Sequence, residues 1–161
     1  MSIIIINKKS KNKKIMKILL ATDGSEYSKS AVEEIANRSF SPDTQVRIVS
    51  AYQMTSITMH MEPMGALREY HAEIDKQALK SAEDATEQAA KILRKGNPLS
   101  ITTTVIEGSP KSVILEEAEK FGADLIVVGS HGYGAIKGFL LGSVSHAVAL
   151  HAKCSVEIVR K

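Results

Sequence analysis

Five short runs of apolar, largely β-branched residues alternate with four longer stretches of helical periodicity, and that alternation leaves few folds open. The runs are Lys17–Thr22, Gln45–Ala51, Ser100–Glu107, Asp124–Gly129 and Cys154–Val159. Runs apolar on both sides suit central strands of a parallel sheet, which is covered by helices on each face. Between them, Ser25 or Ser28 can cap a helix reaching Arg38, with Ala31, Val32, Ile35 and Ala36 on one stripe. A second helical stretch runs from about Leu67 to Arg94 and stops at Gly96-Asn97-Pro98. Ser109 and Pro110 open a third, which Gly122 closes, and a fourth runs from Gly142 to His151. The order βαβαβαβαβ predicts one doubly wound α/β domain over residues 16–161, with a parallel sheet and helices on both faces. Tyr52 to Ala66, with Pro63 and Gly65, reads as a long loop.

A chain of 161 residues with 43% apolar side chains can build such a core without staples. The single cysteine, Cys154, excludes an internal disulfide framework and a CxxC zinc site. No apolar run is long enough to span a membrane. The net charge of +3 arises in the first fifteen residues: without Lys8, Lys9, Lys11, Lys13 and Lys14 it becomes −2. The body of the chain therefore offers no strong case for nucleic acid, and the lysines belong to a basic, flexible extension over residues 1–15. Four isoleucines precede those lysines, the reverse of a secretory signal, which points to a cytoplasmic protein.

In open parallel sheets ligands bind beyond the carboxyl ends of the strands, where strand order reverses. Two such ends carry unusual residues. Ala21-Thr22-Asp23-Gly24 follows the first strand, and Gly129-Ser130-His131-Gly132 opens a glycine-rich loop after the fourth. That loop ends at Gly142-Ser143, where free amides and the helix dipole favour an anion such as phosphate. Lys137 stands inside it as a further cation. A P-loop is excluded because no Gly-Lys-Ser/Thr triplet occurs, and a dinucleotide fingerprint beginning at Gly132 fails at Lys137.

The spacing Gly129, two residues, Gly132, nine residues, Gly142-Ser143 resembles the G-2x-G-9x-G-(S/T) motif of the ATP-binding universal stress proteins. The stretch KILLATDGSEYSKSA and everything from Asp124 onward are similar to that family too. The resemblance implies a Rossmann-like five-stranded sheet ordered 3-2-1-4-5, and a nucleotide-dependent regulatory or stress-response role. It implies ATP, or AMP or ADP, in the crevice, with Mg²⁺ or Mn²⁺ held by the phosphates. Carried over, Gly129, Gly132, Gly142 and Ser143 hold phosphates and ribose, with Ser130 and His131 beside them. Ala21, Thr22, Asp23, Ala51 and Val128 line the adenosine pocket, and Val144 and Ser145 add amides and a hydroxyl. It also implies a homodimer through the strand Cys154–Val159. The family's usual Cys-Pro-Val is Cys154-Ser155-Val156 here, and Glu157 two residues beyond Ser155 predicts a solvent-facing side on that strand.

No elbow for a nucleophile, no HExxH and no carboxylate pair is present, so any ATP hydrolysis is expected to be slow. A nucleotide-free interaction module and an ATP-cleaving enzyme are the alternatives. His146 and His151 miss the spacing of a helical metal pair. Met54, Met59, Met61 and Met64 around His60 read as gap-filling residues rather than a copper site.

Overall fold

The computed structural model describes residues 2–5, 15–55, 65–96, 99–132 and 141–160. Its strands are β1 (Ser2–Ile5), β2 (Lys17–Ala21), β3 (Gln45–Tyr52), β4 (Ser100–Glu107), β5 (Leu125–Gly129) and β6 (Ser155–Val159). The helices are α1 (Glu26–Ala36), α2 (Gly65–Gly96), α3 (Pro110–Phe121) and α4 (Ser143–His151). The sheet order is β1-β6-β5-β2-β3-β4. β2 to β6 are all parallel, so the five strands expected from the sequence form the expected 3-2-1-4-5 sheet.

Alternation along each strand divides the apolar residues between two cores. On one face Ile18, Leu20, Val46, Ile48 and Val127 pack under α1 and α2 through Val32, Ile35, Ala89 and Leu93. On the other, Leu19, Val49, Ile126, Val128, Val156 and Ile158 meet α3 and α4 through Val113, Ile114, Ala118 and Val148. Chain direction out of β2 goes first to β3 on one side and later to β5 on the other. The carboxyl ends of β2 and β5 are therefore neighbours at the reversal point, with Leu20 opposite Val127.

One expectation for the C-terminal strand changes. Within the N-terminal extension, Ser2–Ile5 form β1, antiparallel to β6 with Ser2 opposite Val159 and Ile5 opposite Val156. Consecutive isoleucines favour extended backbone, and the outer edge of β6 offers unpaired amides and carbonyls. Glu157, expected to face solvent, is 1% exposed. Its carboxylate accepts two hydrogen bonds from Arg38, at 2.9 Å and 2.8 Å, and Arg38 also donates to Glu34 at 2.7 Å. The bond to Glu157 is the main cause that raises the Arg38 guanidinium further above its ordinary pKa. A second cross-element pair joins Arg47 of β3 to Glu117 of α3 at 2.6 Å, with the guanidinium 4.3 Å above the Phe121 ring.

Arg38→Met strands a carboxylate at a buried position, and should lower unfolding free energy by ~3 kcal/mol in denaturant titration, whereas Arg38→Met with Glu157→Leu should recover most of it. Cys154 is half-buried, and desolvation, with the nearby charge of Asp124, pushes its thiol pKa up. Its alkylation by iodoacetamide at pH 8 should therefore be slower than that of a free thiol, and rise to the free rate on unfolding.

Candidate functional site

Beyond the carboxyl ends of β2 and β5 lies a cavity of about 320 Å³. Ala21, Val49, Ala51, Ile114 and Val128 give it an apolar floor, and Pro110 stands at the start of α3 beside them. Thr22, Asp23 and Ser28 line the β2 side; Gly129, His131 and Gly132 line the β5 side; Gly142, Ser143, Val144 and Ser145 close it at the head of α4. Every candidate residue except Ser130 lines this one space. Ser28, Val49, Pro110 and Ile114 line it as well and were not among the candidates. Lys137 and the rest of residues 133–140 lie outside the described residues, as do Met59, His60, Met61 and Met64.

The β2 turn is built from short polar side chains. Asp23 Oδ1 accepts the Ser25 amide at 2.9 Å, and Thr22 Oγ1 accepts the Gly24 amide at 3.2 Å. Gly24 has φ +83°, where a side chain would be strained. Ser25 caps α1 through the Ser28 amide, and the Thr22 and Ser28 hydroxyls are 3.2 Å apart, so buried hydroxyls satisfy one another beneath the cavity.

On the β5 side Ser130 acts as a staple. Its amide donates to Val159, and its carbonyl accepts from the Gly142 amide at 2.7 Å and the Ser145 hydroxyl at 2.8 Å. This ties the two ends of the glycine loop together and accounts for Ser130 being 1% exposed rather than facing the cavity. His131 places Nδ1 3.2 Å from the Ser130 hydroxyl and stacks tilted on Tyr27, centroids 5.1 Å apart. Its Nε2 is buried with no hydrogen-bond partner among the described residues.

The three glycines of the spacing motif do different jobs, and none of them takes a positive φ. A Cβ on Gly129 would lie 2.6 Å from the Tyr27 backbone, so this glycine lets β5 pack against the first turn of α1. At Gly132 a Cβ would lie 2.6 Å from Asp23 Oδ2, so this glycine lets the two strand-end turns face one another. At Gly142 it would lie 3.3 Å from the His131 Cα and the Ser130 oxygen. Gly142 is the N-cap of α4 with extended backbone and no side-chain cap. The first amides of α4, from Ser143 to Ser145, have no partner within the helix and sit at the positive end of its dipole. An apolar floor with one anion-attracting end suits a ligand that is flat and apolar at one side and acidic at the other.

Among the described residues, no group of three or more His, Cys, Asp or Glu side chains could hold a metal ion, and no helix is long and apolar enough to cross a membrane.

Comparison with known proteins agrees with this fold. The sequence profile of the Universal stress protein family matches residues 14–160. Universal stress protein YxiE of Bacillus subtilis is 33% identical over 150 residues, covering 89% of this chain and 98% of the relative. The structure of universal stress protein UspA from Lactobacillus plantarum is similar with a TM-score of 0.74 at 22% identity, over 92% of this chain and all of the other. A universal stress protein solved in complex with cAMP has a TM-score of 0.59 at 25% identity, over 91% of this chain and 97% of that one. A family protein from Arabidopsis thaliana solved with AMP bound has a TM-score of 0.61 at 18% identity, over 91% of each. A family profile spanning nearly the whole chain, joined to the sheet order and the glycine spacing, places this chain in the universal stress protein family.

Proposed function

We propose that the chain binds an adenine nucleotide in the cavity between β2 and β5, ATP in the first place, and acts as a nucleotide-dependent regulatory protein. The observation that carries the reading is the pairing of the apolar floor with the amide-bearing head of α4 in a single cavity of about 320 Å³. Ala21, Val49, Ala51, Ile114 and Val128 suit a nucleobase, which needs desolvated contact on its faces. The Ser143, Val144 and Ser145 amides suit phosphate, as does the Ser143 hydroxyl. Asp23 Oδ2, not used in the turn that Oδ1 makes, is the acceptor for a base amino group or a ribose hydroxyl. His131 Nε2, buried and unpartnered, is the side chain that a ligand oxygen would satisfy. The relatives solved with cAMP and AMP support adenine as the base.

The residues present fit the nucleotide and leave the divalent ion to the phosphates, since the described residues supply no metal cluster of their own. ATP bound here supplies a charged phosphate chain. The protein contributes a desolvated floor for the base, amides for the anion and a turn held rigid by buried hydroxyls. Among the described residues, Asp23 and His131 are the titratable side chains lining the cavity, and Asp23 is committed to the turn through Ser25. In this reading the bound state, rather than its cleavage, carries the function, and any turnover is slow. Self-association through the outer edge of β6 belongs to this reading, on condition that β1 is off that edge.

Titration calorimetry of the purified chain with ATP and Mg²⁺ tests the reading, and an absence of saturable binding at millimolar nucleotide overturns it. Gly132→Val is the sharper variant, because its new methyls meet the Asp23 carboxylate and the open cavity rather than packed backbone. It should weaken binding at least about tenfold, the scale of ~1.4 kcal/mol, with the unfolding midpoint little changed. Gly129→Ala should instead cost ~1–3 kcal/mol of fold stability, because its methyl has only the Tyr27 backbone to push against.

A further inference from the structure

Ser130 and His131 stand side by side where β5 runs out, and their side chains meet, with His131 Nδ1 3.2 Å from Ser130 Oγ. Ser130 is 1% exposed, and among the described residues its hydroxyl has no second hydrogen-bond partner. The other ring nitrogen of His131, Nε2, is buried and has no partner there at all. Tyr27 of α1 supports the ring in this pose, with centroids 5.1 Å apart.

A neutral imidazole carries one N–H and one lone pair, and a hydroxyl has one hydrogen to give. With the proton on Nδ1, that N–H donates to Ser130 Oγ and two groups are stranded, the Ser130 hydroxyl hydrogen and the Nε2 lone pair. With the proton on Nε2, Ser130 donates to Nδ1 and only the Nε2 N–H is left over. Buried polar groups need partners, so the second arrangement is favoured before any ligand enters. It also decides what a ligand must bring. The leftover group is a donor, and only an acceptor completes it. Position narrows the acceptor further. A Cβ on Gly142 would lie 3.3 Å from His131 Cα, so His131 stands beside the N-cap of α4, at the end of the cavity where unpaired amides attract negative charge.

We propose that Ser130 is a positioning residue that fixes the His131 proton on Nε2, and that Nε2 then donates to a phosphate oxygen of the bound nucleotide. The phosphate contact rests on the nucleotide reading of the cavity, and the tautomer does not. The opposite tautomer would turn a lone pair toward that oxygen, so the Ser130 hydroxyl makes the contact selective for an anion.

Nitrogen NMR of the full chain carrying 15N-labelled histidine, at about pH 8.5 where an ordinary imidazole is neutral, tests the tautomer without any ligand. The His131 signals are identified by their loss in His131→Gln. They should show a pyrrole-type Nε2 and a pyridine-type Nδ1. Ser130→Ala keeps the amide and carbonyl that tie the loop, and should move both nitrogens toward the averaged signals of two exchanging tautomers. A proton on Nδ1, or nitrogens indifferent to Ser130→Ala, would overturn the proposal. Adding ATP and Mg²⁺ to the unmodified chain should move the Nε2 proton downfield while Nδ1 stays pyridine-type, and adenosine should not. His131→Leu should weaken ATP binding at least about tenfold more than adenosine binding, and His131→Gln, whose amide keeps a donor on the side chain, should recover most of that loss. Equal responses to ATP and adenosine would overturn the phosphate contact. If the unmodified chain binds no nucleotide, the cavity reading and the phosphate contact fall together, whereas a wrong tautomer sinks this proposal alone.

Discussion

The carbonyl of Ser130 holds together the part of the molecule on which any ligand chemistry depends. Two donors from the head of α4 converge on it, the Gly142 amide and the Ser145 hydroxyl, while the Ser130 amide is tied to β6. A loop leaving β5 must therefore return to where it left. The first turn of α4 is fixed beside the end of β5 whatever lies between residues 132 and 141. Because β5 and β2 are hydrogen-bonded neighbours, fixing α4 on β5 also fixes it opposite Asp23. The cavity is a consequence of strand order and one doubly used acceptor, with the side chains lining it as the variable part.

Much of this geometry was legible in the chain itself. Apolar runs such as KILLA and LIVVG suit strands buried on both faces of a parallel sheet, and the glycine spacing marked a strand end that lines the cavity. What the sequence did not reveal depends on contacts between distant positions. Val49 and Ile114 reach the cavity because alternation turns them toward the α3 face, a phase that is set by the sheet as a whole. Of the two serines that could cap α1, Ser25 takes the cap, and Ser28 joins Thr22 and Ser25 as one of three buried hydroxyls under the cavity. Ser130 sits in the motif, yet the work that shapes the cavity is done by its backbone.

Glu157 shows the same limit from the other side. An acidic residue in a final strand reads as solvent-facing, and only its partner 119 positions earlier changes that. Arg38, just beyond the end of α1, reaches across the sheet face and makes a buried carboxylate tolerable. The run of isoleucines was read only as part of the N-terminal extension. Its meaning depended on an edge that no local pattern discloses, since β6 is outermost only because of the order in which the other four strands assemble.

The packing of Gly129 against the Tyr27 backbone has an optical consequence. With no Cβ between them, α1 is drawn in far enough for the Tyr27 ring to rest on the imidazole of His131. The chain contains no tryptophan and four tyrosines, so phenols dominate its ultraviolet emission. One of those phenols abuts a ring that lines the cavity. A ligand that shifts the His131 ring should therefore change the surroundings of Tyr27, and intrinsic tyrosine emission is the unlabelled signal to follow.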